Sequence, residues 1–411
     1  MSLNSISVAV SFVLGIISTK IISHFLGTSG MALMGSFRNF STMLKSIATL
    51  GISNSVVKLV VENKQDKREL SIIYSTFFWL FLIVSIVFGC ATLLLAKPIS
   101  QLLFFTDVYF IPIQFFGLLL PLMIINTFWM AIYNGLEKFK RIIYIQIVSN
   151  VLVFGLTALL IWKRNILGGL LSVAIGEILM VLVTFLYVRK DSSFFQFDLH
   201  KIISKKYTTI IKNFSIMALL SAVIAPLTLI FIRNTIVATH SIQEAGIWDA
   251  INRLSGFYML FFSSGLSMYY MPKLASLQTD AEFKMELKSY FKTLVPLFLV
   301  MLIIIFIGKV LIVKMAFTNE FSAVKEVLIW QLLGDFFKVM TLAFGFQIVV
   351  KTMMKRYFIG EIVFNLSYFL LSFYLMKYNG VEGVLQAYFY SCVICFVLVL
   401  VMFRKLFFKH Y

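Results

Sequence analysis

A chain of 411 residues that is 60% hydrophobic, 16% aromatic and only 13% charged has more apolar side chain than a water-soluble domain has interior to hide. Its 36 Lys and Arg against 18 Asp and Glu give a net charge of +18, yet these cations punctuate apolar runs and form no continuous basic face, which argues against nucleic acid as a partner. What fits is a protein built mostly of membrane-spanning helix, each crossing needing about 20 apolar residues.

In chain order, Met1 to Leu26 has no basic leader and runs straight into another apolar stretch, so it is expected to be an uncleaved first helix. Charge-poor runs bounded by turn residues predict spans at 5–26, 31–61, 71–96, 111–136, 142–162 and 166–188. A second set follows at 212–238, 245–272, 290–313, 324–350, 358–377 and 381–403. The expected fold class is all-α integral membrane, with about 12 transmembrane helices in two pseudo-symmetric six-helix bundles around a central cavity. Residues 1–190 would form the N-terminal bundle, 191–211 a cytoplasmic linker and 212–411 the C-terminal bundle.

Lys and Arg collect in the even-numbered loops and the C-terminal tail, 22 against 7 in the odd-numbered loops. The positive-inside rule then puts both termini in the cytoplasm. In the linker, Phe194, Phe195 and Phe197 alternate with charge. That pattern suits a segment lying on the anionic inner surface and suits a plain solvated connection equally. Cys90, Cys392 and Cys395 all fall in apolar runs, so no disulfide scaffold is expected, and Cys392 and Cys395 have no second ligand pair to make a metal site.

The two halves overlay on one another. Arg38 falls on Arg253, Lys58 on Lys273, Lys140 and Arg141 on Lys355 and Arg356, Asn150 on Asn365, and Arg189 and Lys190 on Arg404 and Lys405, all at an offset of 215. Lys97 pairs with Lys309 and Phe105-Thr106 with Phe317-Thr318 at 212, and Asn165 and Gly169 pair with Asn379 and Gly383 at 214. Six spans per repeat means the halves share a topology, related by an axis along the membrane normal, with substrate expected between them.

The cations singled out inside predicted spans are Lys20, Arg38, Lys45, Lys58, Arg233, Arg253 and Lys338. Each costs a few kcal/mol at the bilayer centre unless it faces protein or water. Lys58 is close enough to a helix end to snorkel. By helical rise, Arg38 lies on the order of 12 Å and Lys45 roughly 22 Å inside the second span, on one face with Ser41, Thr42 and Thr49. Lys20 and His24 are one turn apart in the first span. Asp249 precedes Arg253 by four residues, the favoured order for an intrahelical pair, and Asp335 precedes Lys338 by three.

Spans one, two, seven and eight thus hold five cations (Lys20, Arg38, Lys45, Arg233 and Arg253) against one carboxylate, Asp249. Glu177 and Glu361 sit in other spans. Positive charge in excess around a low-dielectric cavity draws in an anion, and the planar fork of Arg suits phosphate. A diphosphate bearing a sugar and a polyprenyl tail fits these requirements. Asn39, Asn126, Tyr133, Asn150, Tyr258, Gln331 and Gln347 are the polar groups available to a glycan.

The run Leu26-Gly27-Thr28 through Gly35-Ser36-Phe37-Arg38-Asn39, the stretch Asn134-Gly135-Leu136-Glu137-Lys138-Phe139 closing the fourth span, and the two six-span halves together resemble the Wzx-type flippases of the multidrug/oligosaccharidyl-lipid/polysaccharide exporter superfamily. The resemblance covers essentially the whole chain. It implies flipping of an undecaprenyl-diphosphate-linked oligosaccharide, an O-antigen unit or the enterobacterial common antigen intermediate, from the cytoplasmic to the periplasmic leaflet of the bacterial inner membrane by alternating access. It also implies that Lys20, Arg38, Lys45, Arg233 and Arg253 line the cationic cavity. Asp249, Glu177, Asp335, Glu361 and His24 are then candidates for ion coupling, and these acids with Lys338 for charge pairing. Membrane lipids, a polysaccharide polymerase and chain-length machinery are the implied partners, and no cofactor is implied. A drug or cation exporter of the same superfamily would instead want acids or aromatics in its cavity. A membrane polymerase or glycosyltransferase would want paired carboxylates or a metal site, which these short outward loops do not offer.

Overall fold

The computed structural model describes residues 2–191, 207–277 and 279–408. The linker features Phe194, Phe195, Phe197, Lys201, Lys205 and Lys206 lie outside the described residues. The chain divides into two compact units, one of Met1–Leu26 with Leu33–Ile230 and one of Gly27–Ala32 with Phe231–Tyr411.

Helices follow one another in the order α1 (Ser2–Ala48), α2 (Ser53–Glu62), α3 (Lys67–Leu94), α4 (Ala96–Phe104), α5 (Phe110–Gly135), α6 (Phe139–Val188) and α7 (Thr208–Thr239). The rest of the chain forms α8 (Ile242–Ser276), α9 (Asp280–Ile307), α10 (Lys309–Ala316), α11 (Val324–Val350), α12 (Met354–Met402) and α13 (Arg404–Phe408). Among the described residues, eight helices are long and apolar enough to cross a membrane. Three of these, 42, 50 and 49 residues long, are each interrupted, at Gly27, Asn165 and Gly380, where the backbone turns to positive φ. Each therefore supplies two membrane-length arms. With α8, these make up the twelve segments expected from hydropathy.

The repeat is written in the backbone as well as in the sequence. Asn165 (φ 48°) and Gly380 (φ 55°) break α6 and α12 at positions 215 residues apart, and Glu137 (φ 58°) and Thr352 (φ 52°) turn the chain before each of those helices at the same separation. The turn bonds match too: Glu137 N–H donates to Asn134 and Lys138 N–H to Tyr133, as Thr352 donates to Val349 and Met353 to Ile348. The offset of 214 expected through Asn165 and Asn379 is thus corrected to 215, because the backbone reversal falls on Gly380. Just past each break the arms approach so closely that a Cβ on Gly168 would lie 1.9 Å from the Leu160 carbonyl oxygen, and one on Gly383 would lie 2.3 Å from that of Leu375.

Two expected spans are redrawn. The run 31–61 is not one helix: α1 stops at Ala48, Leu50 and Gly51 take positive φ, and α2 restarts at Ser53. At the other, α9 begins at Asp280, well before 290, because Thr279 and Glu282 form a reciprocal capping box that starts a charged, amphipathic first stretch.

In the first unit, Phe37, Phe40 and Phe116 pack with Phe104, while Phe77, Phe81, Phe128 and Tyr74 form a second aromatic layer. In the second, Phe283, Phe344 and Phe403 stack together near Tyr270 and Tyr290. Hydroxyls such as Thr92 and Thr184 bond back to carbonyls one turn earlier, which lets polar residues sit inside apolar helices.

Candidate functional site

The helix that carries the first-unit cations has no acid of its own, since the first carboxylate side chain in the sequence is Glu62. Lys20 sits half-buried in the first arm of α1, and Arg38 and Lys45 half-buried in the second, two turns apart on one face. The hydroxyls on that face are already used: Ser41 bonds to the Phe37 carbonyl, Thr42 to that of Arg38, and Thr49 to those of Lys45 and Ser46. Lys45 Nζ meets Glu177 Oε1, which reaches it from the second arm of α6. His24 is exposed, its ring edge-on to Phe25 at 5.0 Å.

In the second unit, Arg233 of α7 and Asp249 of α8 form a two-pronged bond, Nε to Oδ2 at 2.6 Å and Nη2 to Oδ1 at 2.5 Å. Arg233 is 2% exposed and Asp249 8%. The guanidinium also lies 5.3 Å from the Trp248 ring, a cation–π contact that adds to the clamp across the α7–α8 turn. This corrects the expectation that Asp249 serves Arg253: its carboxylate turns to Arg233, whose fork matches both oxygens. Arg253 is half-buried, its guanidinium 6.0 Å from the Phe257 ring.

The five cations therefore do not face a single acid. Glu177 neutralises Lys45 and Asp249 neutralises Arg233, because helices distant in sequence bring their carboxylates into reach. Lys20, Arg38 and Arg253 are also half-buried.

Asp335 in α11 is the second correction. Instead of pairing with Lys338, it has no exposed surface and accepts hydrogen bonds from Ser255 Oγ (2.6 Å), Tyr388 OH (2.7 Å), the Tyr258 hydroxyl and, more weakly, Gln331 Nε2 (3.3 Å). Neutral donors from α8, α11 and α12 thus enclose one carboxylate. Nearby, Trp248 Nε1 donates to Tyr368 OH at 3.3 Å, and Tyr368 stacks edge-on to Tyr388 at 5.5 Å. Lys338 is exposed beside the Tyr388 ring and shares with Glu361, Arg356, Cys392 and Cys395 the lining of a cavity of ≈ 320 Å³ between α11 and the two arms of α12.

Among the glycan candidates, Gln331 Oε1, Gln347 Oε1 and Asn126 Oδ1 are buried without a hydrogen-bond partner among the described residues. Asn150 donates to Ser11 at 2.9 Å and Asn365 to the carbonyl of Glu361 at 2.9 Å. Ser255 and Tyr388, which bond to Asp335, are residues that sequence reasoning did not single out. Gln331 and Asp335 share a helical face one turn apart, a readable signal, but nothing in the local pattern points from Asp335 to Tyr388.

Comparison with known proteins places this geometry. The family described as "Polysaccharide biosynthesis protein" matches residues 1–278. Proteins named lipid III flippase from Escherichia coli K12 and Shigella flexneri are each 25% identical over 390 residues, covering 93% of this chain and 92% of theirs. Among solved structures, the lipid II flippase MurJ in an inward closed conformation superposes with a TM-score of 0.76 at 16% identity, covering 98% of this chain and 88% of that one. An inward-facing multidrug resistance transporter of the MATE family, MOP superfamily, superposes with a TM-score of 0.72 at 13% identity, covering 97% and 96%. At these identities the structural matches establish the fold. The named relatives and neighbours are flippases and transporters, not enzymes.

Proposed function

The chain belongs to the polysaccharide biosynthesis protein family, and from that premise we propose that it is a flippase. Its cargo in this reading is an undecaprenyl-diphosphate-linked oligosaccharide, an O-antigen-type unit or the enterobacterial common antigen intermediate. It moves that cargo from the cytoplasmic to the periplasmic leaflet of the bacterial inner membrane by alternating access, with both termini cytoplasmic.

The observation that carries the reading is the charge on α1: Lys20 in its first arm and Arg38 and Lys45 in its second, with no carboxylate side chain on either arm. Cations at such depth are retained for a purpose, and an anionic diphosphate is the ligand they suit. Full-length similarity to lipid III flippases supports a lipid-linked cargo. In this reading the half-buried Lys20, Arg38 and Arg253 take the diphosphate contacts. Coupling to an ion falls in this reading to Asp335, a buried carboxylate held by neutral hydroxyl and amide donors. A polysaccharide polymerase and chain-length machinery are the downstream partners in this reading.

The test is translocation in vesicles loaded with polyprenyl-diphosphate oligosaccharide, read by access of a membrane-impermeant sugar-modifying enzyme. Arg38→Gln with Arg253→Gln should abolish flipping while the protein still inserts. Unchanged flipping, or uptake of a cationic dye in place of the lipid, would contradict the assignment.

A further inference from the structure

Helix α9 places Lys284, Lys288 and Phe291 on one face, at i, i+4 and i+7. Together with Phe344 of α11 and with Phe396 and Leu400 of α12, they line a groove of ≈ 530 Å³. Its walls are aromatic, with the Phe291 ring 6.3 Å from Phe344 and 6.4 Å from Phe396. The two lysines stand at its polar end.

Two of the acids near those lysines are committed elsewhere, and Asp280, one turn before Lys284, forms no ion pair with it among the described residues. Glu286 pairs with Lys273 at 2.5 Å, and Glu282 closes the capping box with Thr279. Among the described residues neither Lys284 nor Lys288 forms an ion pair, and both are exposed. At the mouth of the groove Met285 is 67% exposed, and Val397 and Val401, next to Phe396 and Leu400, are exposed too, so the groove opens at an apolar surface of a membrane-spanning helix pair. A lipid is what surrounds the groove.

We infer that this groove is a binding site for an anionic diacyl phospholipid, with the phosphate against Lys284 and Lys288 and one acyl chain along the half-buried Phe291, Phe396 and Leu400. Paired ammonium groups at one end and an apolar slot opening to hydrocarbon match both parts of that ligand and neither inorganic phosphate nor a neutral lipid. The site is separate from the cations assigned to the transported diphosphate, and its test does not depend on translocation.

Native mass spectrometry of the full chain, released from detergent after exposure to chain-matched phosphatidylglycerol and phosphatidylethanolamine, reads the occupant by mass. The wild type should retain phosphatidylglycerol over phosphatidylethanolamine. Lys284→Gln with Lys288→Gln should lower that retention roughly tenfold or more, given two lost lysine contacts. Leu400→Trp, which fills the slot, should lower it as well. Lys140→Gln with Lys190→Gln, the same charge change at two exposed lysines of the first unit, should leave it unchanged. Added phosphatidylglycerol should raise the thermal midpoint of the wild type and not of the Lys284/Lys288 variant, a readout that does not need the Trp variant to fold. Equal retention by wild type and lysine variant, equal loss in the control, phosphatidylethanolamine held as firmly as phosphatidylglycerol, or a polyprenyl phosphate as the retained mass would each overturn the assignment.

Discussion

Tyr388 donates a 2.7 Å hydrogen bond to Asp335, joining the second arm of α12 to α11 around a carboxylate with no exposed surface. Removing that hydroxyl leaves a buried charge short of a donor, so Tyr388→Phe should lower stability by about 1.5–3 kcal/mol, read as a drop in thermal midpoint in detergent. Asp335→Asn should leave the fold largely intact but lower the rate of flipping in the vesicle assay. Lys338→Gln should leave stability near wild type, since Lys338 is exposed and Asp335 is held by Ser255, Tyr258 and Tyr388 instead.

The hairpins in α6 and α12 predict a matched pair of mutational effects. Gly168→Ala and Gly383→Ala each drive a methyl group into a carbonyl oxygen that belongs to backbone and cannot swing aside. Each should cost about 1–3 kcal/mol or more from overpacking and lower the yield of folded protein. Gly155→Ala and Gly360→Ala, on the same helices with nothing within 4 Å, should be neutral or stabilising by up to about 1 kcal/mol from helix propensity. Similar losses at all four positions would remove the steric argument.

Membrane helices were the most legible part of the chain, because hydrocarbon demands long apolar runs and the expected span 324–350 coincides with α11. Short amphipathic helices such as α4 and α10 are harder to see, being neither long nor uniformly apolar. The buried cations were visible as charges in the wrong solvent. Their partners were not: Glu177 lies 132 positions from Lys45, and Tyr388 lies 53 from Asp335. Periodicity reports which face of a helix a residue occupies, while the register between two helices depends on packing that no local pattern encodes.

Tyr207, just ahead of α7, donates to Glu69 Oε2 at 2.8 Å and thereby ties the chain beyond the 192–206 segment to the start of α3. Burial pushes its hydroxyl pKa up, with the bond to Glu69 and the charges of Glu69 and Asp66 acting in the same direction. A group whose pKa is raised on folding contributes its stability below the unfolded value, here 10.0, and loses it as pH climbs toward the folded one. Thermal midpoints should therefore fall with pH above about 10 more steeply in the wild type than in Tyr207→Phe. Parallel curves would show that this bond does not sense the titration.

Lys45 and Glu177 set the last prediction, because their pairing gives a test of whether Lys45 holds helices together or serves the cargo. Their side chains are 29% and 26% exposed, so the pair is neither a surface bridge nor fully desolvated. Removing one partner strands the other, and a double-mutant cycle of Lys45→Gln and Glu177→Gln should report a coupling of about 0.5–3 kcal/mol. Because the pair is neutral as a unit, the double variant should still flip lipid-linked oligosaccharide. Arg38→Gln removes a cation from the same face of α1, and losing a charge-assisted hydrogen bond to diphosphate should slow translocation roughly tenfold or more. Should the Lys45/Glu177 double variant prove as defective as Arg38→Gln, the separation between structural and ligand-binding cations on α1 would fail, and Lys45 would rejoin the diphosphate contacts.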